Sequence, residues 1–339
     1  MSKRRLYLHV GVHRTGTSSI QHALKSDFGQ LLWRGVFHAY ATARHKALFD
    51  DLFSGKQSAR AIAQDITNRA DAKPCHIHSV TLSDEDICMR RDLSPLAGLS
   101  EYFEVYPVLF VRRQDFWLES WYRQHVKWQW DKRYAHLRFE DFLARRQDFF
   151  WVDYERLARG LAHLFGKNSL IIIPFEEGRF AANSVSLFYD ALGVGDLPDV
   201  VHETKNQSFS KRMTEFMRGL PLAKLPIEQR HRIERACAKV DAGIKDRSSF
   251  FANATQRGTI LAEYSASNTR LAQSYFGRDS LFRSDQTRPI LAACVGQSGD
   301  TTEALIKDII APLIMTLSAD VLPAKHPSKP RQTAAEQAV

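Results

Sequence analysis

A chain of 339 residues, 44% hydrophobic and 25% charged, has the composition of a globular protein and the length for one large α/β domain or two ordinary ones. No run approaches the roughly 18–20 apolar residues of a membrane helix, and the basic start leads into a strand and a polar loop rather than a secretory signal, so the expected location is cytoplasmic. Of the net charge of +9, Lys3, Arg4 and Arg5 carry +3 and residues 321–339 a net +2; the mildly basic body that remains suits an anionic ligand and argues against nucleic acid, which asks for a concentrated basic face.

Taken in order, residues 5–10 read as a first strand, and Thr17 to about Lys25 as a helix opened by Thr and Ser. Residues 44–70 read as helices ending before Pro74. H-I-H-S-V-T-L (76–82) reads as a second strand, followed by the polar S-D-E-D. The continuous apolar run Y-P-V-L-F-V (106–111) has the pattern of a strand buried on both faces, and a long helix runs from Asp115 to about Trp130. A helix over 154–165 closed by Gly166 precedes another buried strand, S-L-I-I-I-P-F (169–175). Such alternation predicts a P-loop-like three-layer α/β sandwich around a parallel sheet. Residues 200–285 read as mostly helical, with Ser210 as a cap, and an apolar helix spans about 302–318. We expect one domain over 1–320 and a disordered tail over 321–339. Cys75, Cys88, Cys237 and Cys294 lie scattered without a C-x-x-C pair, which speaks against a disulfide framework or a zinc site, and no metal is expected.

The stretch G-V-H-R-T-G-T-S-S (11–19) lies in the first strand-to-helix turn, where backbone N–H groups and the helix dipole favour an anion. Gly11 permits a sharp exit from the strand and Gly16 a close backbone approach; Thr15, Thr17, Ser18 and Ser19 add hydroxyls. A Gly- and Ser-rich helix-capping turn without a ligand would look the same in isolation. Nucleotide triphosphatases place a lysine where Thr17 stands, to reach the β- and γ-phosphates. Arg14, on the other side of Gly16, is suited instead to fork onto a single phosphate. The strand over 106–111 ends in Arg112 and Arg113 rather than in an acid that would hold magnesium.

This loop resembles the 5′-phosphosulfate loop of sulfotransferases that use 3′-phosphoadenosine 5′-phosphosulfate (PAPS), usually K-[ST]-G-[ST]-[ST], with Arg14 in the lysine position. The resemblance implies that Arg14, Thr15, Gly16, Thr17, Ser18 and Ser19 bind the phosphosulfate. Arginine keeps the charge, yet a guanidinium does not deprotonate in proteins, so the role left to Arg14 is electrostatic. V-L-F-V-R-R-Q-D-F-W-L-E-S is similar to the family's 3′-phosphate motif, a strand ending in Arg with a Ser eight residues later; this implies that Arg112 and Ser120 hold the 3′-phosphate, with Arg113 competing for the arginine's part. Segment 171–177 looks like the strand-plus-acid segment of many members, and 206–218 and 264–276 resemble helical segments of bacterial members acting on carbohydrates, which makes a carbohydrate hydroxyl the favoured acceptor. No counterpart of the loop covering the adenine in hormone sulfotransferases is present; Lys205, Asn206, Ser208 and Lys211 are candidates for that side.

Sulfuryl transfer needs a base for the acceptor's proton at the C-terminal end of a central strand. S-D-E-D resembles the S-x-E of bacterial members and makes Glu85 the candidate; Asp84, Glu85 and Asp86 also fit simple helix-start acids, and His13 and His78 are the alternatives. Trp117 and Trp121, one helical turn apart, read as core, while Trp128 or Trp130 could offer an acceptor platform. The competing classes are a degenerate P-loop kinase or nucleotide triphosphatase and a non-catalytic polyanion binder.

Overall fold

The computed structural model describes residues 3–176, 182–195, 208–245, 248–283 and 302–319. Strand β1 (Arg4–His9) is paired in parallel on both sides, with β3 (Ser79–Ser83) through Leu6↔Val80 and with β4 (Phe103–Arg112) through Leu8↔Pro107. The edges are β2 (Val36–His38) and β5 (Ile171–Phe175), so the order is β2-β3-β1-β4-β5, all parallel. An all-parallel sheet must be covered on both faces, because each crossover lays a helix over it. Both faces are covered, as the α/β alternation predicts.

Alternation along the strands sends Tyr7, Val108 and Phe110 to one face. There they form a buried cluster with Ile20 and Leu24 of α1 (Thr17–Ser26), Leu31 of α2 (Phe28–Trp33) and Val185 and Phe188 of α8 (Ser184–Leu192). The opposite face holds α7 (Tyr154–Phe165) against β4, with α11 (Ala254–Phe276) packed on α7 and on α5 (Gln114–Trp128). Helices α3 (Lys46–Phe53) and α4 (Ala59–Asp71) lie between β2 and β3 in the chain, and α6 (Phe139–Ala144) follows α5. The second strand of the sequence reading, 76–82, is thus the third in the structure, starting three residues later and ending one residue later, at Ser83; the three-residue β2 was not expected.

The chain divides into two compact units, Met1–Ser208 with Ser248–Val295, and Phe209–Arg247 with Gly296–Val339. The first contains the whole sheet. The described part of the second is helical: α9 (Lys211–Arg218), α10 (Ile227–Asp241), and the stretch Thr302–Ala319, in which a π-helical turn joins α12 (Thr302–Leu305) to α13 (Ala311–Ala319). Ser210 caps α9 as expected, its Oγ accepting from the Met213 N–H at 3.1 Å. Residues 321–339 lie outside the described residues. Among the described residues no helix is long and apolar enough to cross a membrane.

Candidate anion and acceptor site

The turn between β1 and α1 is anchored to β4, with Val12 N–H donating to Phe110 O at 2.8 Å and Phe110 N–H to Gly11 O at 2.7 Å. Gly11 has φ +93, and a Cβ there would come within 3.1 Å of Glu85 Cβ, so the turn passes directly over the segment after β3. Gly16 has φ +84 and forms the N-cap of α1 without any side-chain cap bond, which leaves the first-turn amides uncapped by the chain's own side chains. The Thr15 hydroxyl donates to Val12 O at 2.6 Å and holds the turn's shape; Thr15 and Thr17 are buried, while Ser18 is exposed and Ser19 half-buried.

A methyl at residue 16 would sit 2.7 Å from Ser184 Cβ, at the start of α8, on a backbone that disfavours L side chains. Gly16→Ala therefore costs about 3 kcal/mol; thermal unfolding reads this as a Tm several degrees lower, and an unchanged Tm would contradict the tight approach of α8 to the turn.

Arg14 itself occupies a left-handed conformation (φ +66), unusual for a residue with a side chain. Its Nε donates to Ser120 Oγ at 2.7 Å and its Nη1 to Gln124 Oε1 at 2.6 Å; both acceptors lie on one face of α5, four residues apart. Nη2 reaches Ser208 Oγ at 3.4 Å. Arg112, at the C-terminal end of β4, donates from Nη1 to the Arg14 carbonyl at 2.9 Å. The loop, the end of β4 and α5 thus meet at one residue, Arg14. Burial, then the positive charges of Arg112 and Arg123, push the Arg14 pKa down to about 10. A half-buried guanidinium among like charges is an environment that suits an anion.

Arg113 does not join this cluster. Its Nε and Nη2 fork onto Asp115 at 2.8 and 2.9 Å, Asp115 also pairs with Arg257, and the guanidinium stacks on Phe116. This buried ion pair ties α5 to α11. His78 is likewise remote: it precedes β3, at the edge of the sheet opposite the turn, where it contacts Ser79 Oγ and Arg34 O.

After β3 the chain enters a 3-10 turn, Glu85–Met89, and its three acids gather around Arg44. The Arg44 Nη2 lies 2.7 Å from Asp84 Oδ1 and 2.6 Å from Asp86 Oδ1, and Nη1 lies 3.2 Å from Glu85 Oε1. Burial opposes the charge on Arg44, but the three carboxylates outweigh it and raise its pKa. Glu85 is 7% exposed, and its Oε2 accepts from Gln21 Nε2 of α1. Burial raises the Asp84 pKa against the pull of Arg44. Asp86, in spite of its burial, is held below the usual carboxylate range by His13 and Arg44. The His13 Nε2 lies 3.1 Å from Asp86 Oδ1; the ring packs on Trp121 with centroids 4.9 Å apart, and the His13 carbonyl accepts from Trp117 Nε1 at 2.8 Å.

Glu85, Asp86 and His13 open into a cleft of about 680 Å³, which also contains Gln124, the acceptor of Arg14. Trp121, Trp130, Tyr134, Phe149 and Trp151 form its walls. Trp117 and Trp121 are core residues, stacked 5.4 Å apart, and Trp121 also reaches the cleft; Trp130 is 49% exposed. Trp128 does not line the cleft. Of the candidates for the adenine side, Lys205 and Asn206 lie outside the described residues, Ser208 meets Arg14, and Lys211 opens α9 of the second unit.

Gln124, Gln21, Arg44 and His125 join the site without having been expected. Gln124 had a signal, its i+4 spacing from Ser120. Arg44 had none, since its three partners lie some forty residues onward and only folding brings them within reach.

No protein-family profile matches the chain, and no solved structure matches it. Among curated proteins it is 27% identical over 180 residues to an uncharacterized protein of Archaeoglobus fulgidus, covering 52% of this chain. The chain spans about half the length of that curated relative, 47%.

Proposed function

We propose that the chain is a PAPS-dependent sulfotransferase acting in the cytoplasm on an acceptor hydroxyl, with a carbohydrate as the favoured acceptor class. One observation carries the reading: Arg14 of the first turn meets Ser120 of α5 through its guanidinium and Arg112 through its carbonyl, across 106 and 98 positions of sequence. Two motifs that each resemble half of a PAPS site therefore adjoin, which supports one ligand spanning both. The desolvated Arg14, the uncapped start of α1 and the hydroxyls of Ser18 and Ser19 fit the anions of such a donor.

The donor supplies the sulfuryl group. The chain's own residues divide the remaining work. Arg14 and the amides of residues 15–19 hold and neutralise the phosphosulfate, and Arg112 with Ser120 holds the 3′-phosphate. Glu85, beside the turn and facing the cleft, takes the acceptor's proton. A second reading is favoured by the contacts of Glu85, both of whose oxygens are engaged by Gln21 and Arg44. On that reading His13 is the base and Asp86 orients it, leaving Nδ1 to accept the proton.

The test is binding of 3′-phosphoadenosine 5′-phosphate against AMP by calorimetry. We expect the bisphosphate to bind roughly 10–100-fold more tightly, the range of a charge-assisted pair, and Arg112→Ala to abolish the difference. Equal affinities in the unaltered chain would overturn the reading. Magnesium-dependent ATP binding would point to a phosphotransferase instead.

A further inference from the structure

The cleft beside Glu85 does not end at its aromatic walls. A second cavity of about 280 Å³ adjoins it, and Arg91 and Trp151 line both. Its other side is formed by Phe150 and by Arg156 and Gly160 of α7. Two guanidiniums share the Phe150 ring, Arg91 at 4.3 Å and Arg156 at 5.5 Å from its centroid. Both arginines are exposed, and among the described residues neither guanidinium has a carboxylate partner.

That sets them apart from the arginines around them. Arg44 is claimed by Asp84, Glu85 and Asp86, Arg90 by Asp50, Arg123 by Glu119 and Arg133 by Asp131. The acids of the large cleft are compensated in the same way: Asp131 pairs with Arg133, and Asp148 accepts from the Tyr134 hydroxyl at 2.7 Å. The second cavity contains one acid, Asp92, whose carboxylate accepts from the Ser94 N–H and hydroxyl. Two cations stacked on an aromatic floor remain without a counter-charge, and a guanidinium so placed keeps its N–H edge for a planar or tetrahedral anion.

The large cleft adds a second indication that its occupant is polar. His125 is 3% exposed, and neither ring nitrogen has a partner among the described residues. Its ring lies between Trp121, Trp130 and Tyr134, with centroids 4.9, 5.3 and 5.0 Å away. Burial drives its pKa down to about 4, so at neutral pH the imidazole offers one donor and one acceptor. A buried imidazole with both nitrogens unanswered calls for a hydroxylated ligand.

We propose that the acceptor is an elongated, hydroxylated molecule carrying an acidic group of its own, which seats against Arg91 and Arg156 while its ring lies in the aromatic cleft beside His125. This rests on the sulfotransferase reading for the word acceptor, but the subsite itself is a statement about binding. Carboxylate and sulfate share the chemistry that the two arginines recognise.

The experiment uses the full chain and two defined probes, a disaccharide containing glucuronic acid and the neutral N-acetyllactosamine, titrated by calorimetry or NMR. We expect the acidic probe to bind at least about ten-fold more tightly, the work of one charge-assisted contact pair, and its advantage to shrink as salt is raised. The exposed pair R91A/R156A should remove the advantage and leave the neutral probe and 3′-phosphoadenosine 5′-phosphate unaffected. A sulfated disaccharide run beside the uronate identifies which acid is preferred. The proposal is overturned by equal binding of acidic and neutral probes, by no binding of either acidic probe at millimolar concentration, or by a preference that survives R91A/R156A. Failure of the bisphosphate to bind, with the arginine-dependent preference intact, removes the proposed reaction and leaves the subsite.

Discussion

Glu85→Gln lowers sulfuryl-transfer turnover by about 100–10,000-fold, the range of a lost general base, and changes the affinity for 3′-phosphoadenosine 5′-phosphate by no more than about two-fold. The geometry behind this is specific. Gly11 brings the turn to Glu85 so closely that a methyl would touch its Cβ, Cα and carbonyl, while the carboxylate lines the cleft rather than the Arg14–Arg112–Ser120 cluster. Glutamine is isosteric and keeps an acceptor for Gln21 or Arg44, so the fold should hold. Turnover of acceptor is measured with radiolabelled donor and compared with His13→Asn. If Glu85 takes the proton, the first variant loses the rate and the second keeps most of it. If the His13–Asp86 pair takes it, the order reverses. Normal turnover in Glu85→Gln removes that residue from the chemistry.

The parts of the fold that were readable are those in which local and long-range forces agree. The run at 106–111 is apolar because β4 is covered on both faces, and its continuity announces that burial. Helix α7 was readable from Asp153, whose side chain accepts from the Arg156 N–H, to Gly166 with φ +90. Strand β2 could not be read. It has three residues, at an edge, and its position depends on Gly35, where a Cβ would come within 2.5 Å of His78 Cδ2. The same reasoning divides the site. Arg112 and Ser120 were named from their spacing, a strand end and a helix position eight residues on, but that spacing does not reveal that Ser120 accepts from Arg14. His78 was read inside the second strand and kept as an alternative base; because β3 begins only at Ser79, it lies at the edge away from the loop. The fate of Arg113 depended on Arg257, 142 positions away beside Asp115, and no spacing reveals that. The reach of Arg14 was hidden for a different reason. Its direction follows from a left-handed backbone that glycine normally adopts, so the motif named the residue but not where its guanidinium would go.

That direction makes Arg14 the position with the largest expected effect on donor binding. Its guanidinium joins three groups, Ser120, Gln124 and Ser208, under the repulsion of Arg112 and Arg123. An anion bound there gains from each N–H and relieves the repulsion, so the loss on removal exceeds that of an exposed arginine. Arg14→Met should weaken 3′-phosphoadenosine 5′-phosphate by roughly 100-fold, about 2.7 kcal/mol. Stability should change little, because the repulsion from Arg112 and Arg123 is relieved while the buried Ser120 hydroxyl and Gln124 lose their donor. Arg14→Lys separates charge from shape: an ammonium supplies the charge but cannot reach Ser120 and Gln124 together as a planar fork does. It should recover most of the affinity for AMP and less of the affinity for the bisphosphate, since the fork is what connects the turn to α5. Parallel titrations of both nucleotides on the three proteins decide the matter. Equal losses of AMP and bisphosphate affinity in Arg14→Lys would confine Arg14 to the turn, and unchanged binding in Arg14→Met would remove it from the anion site altogether.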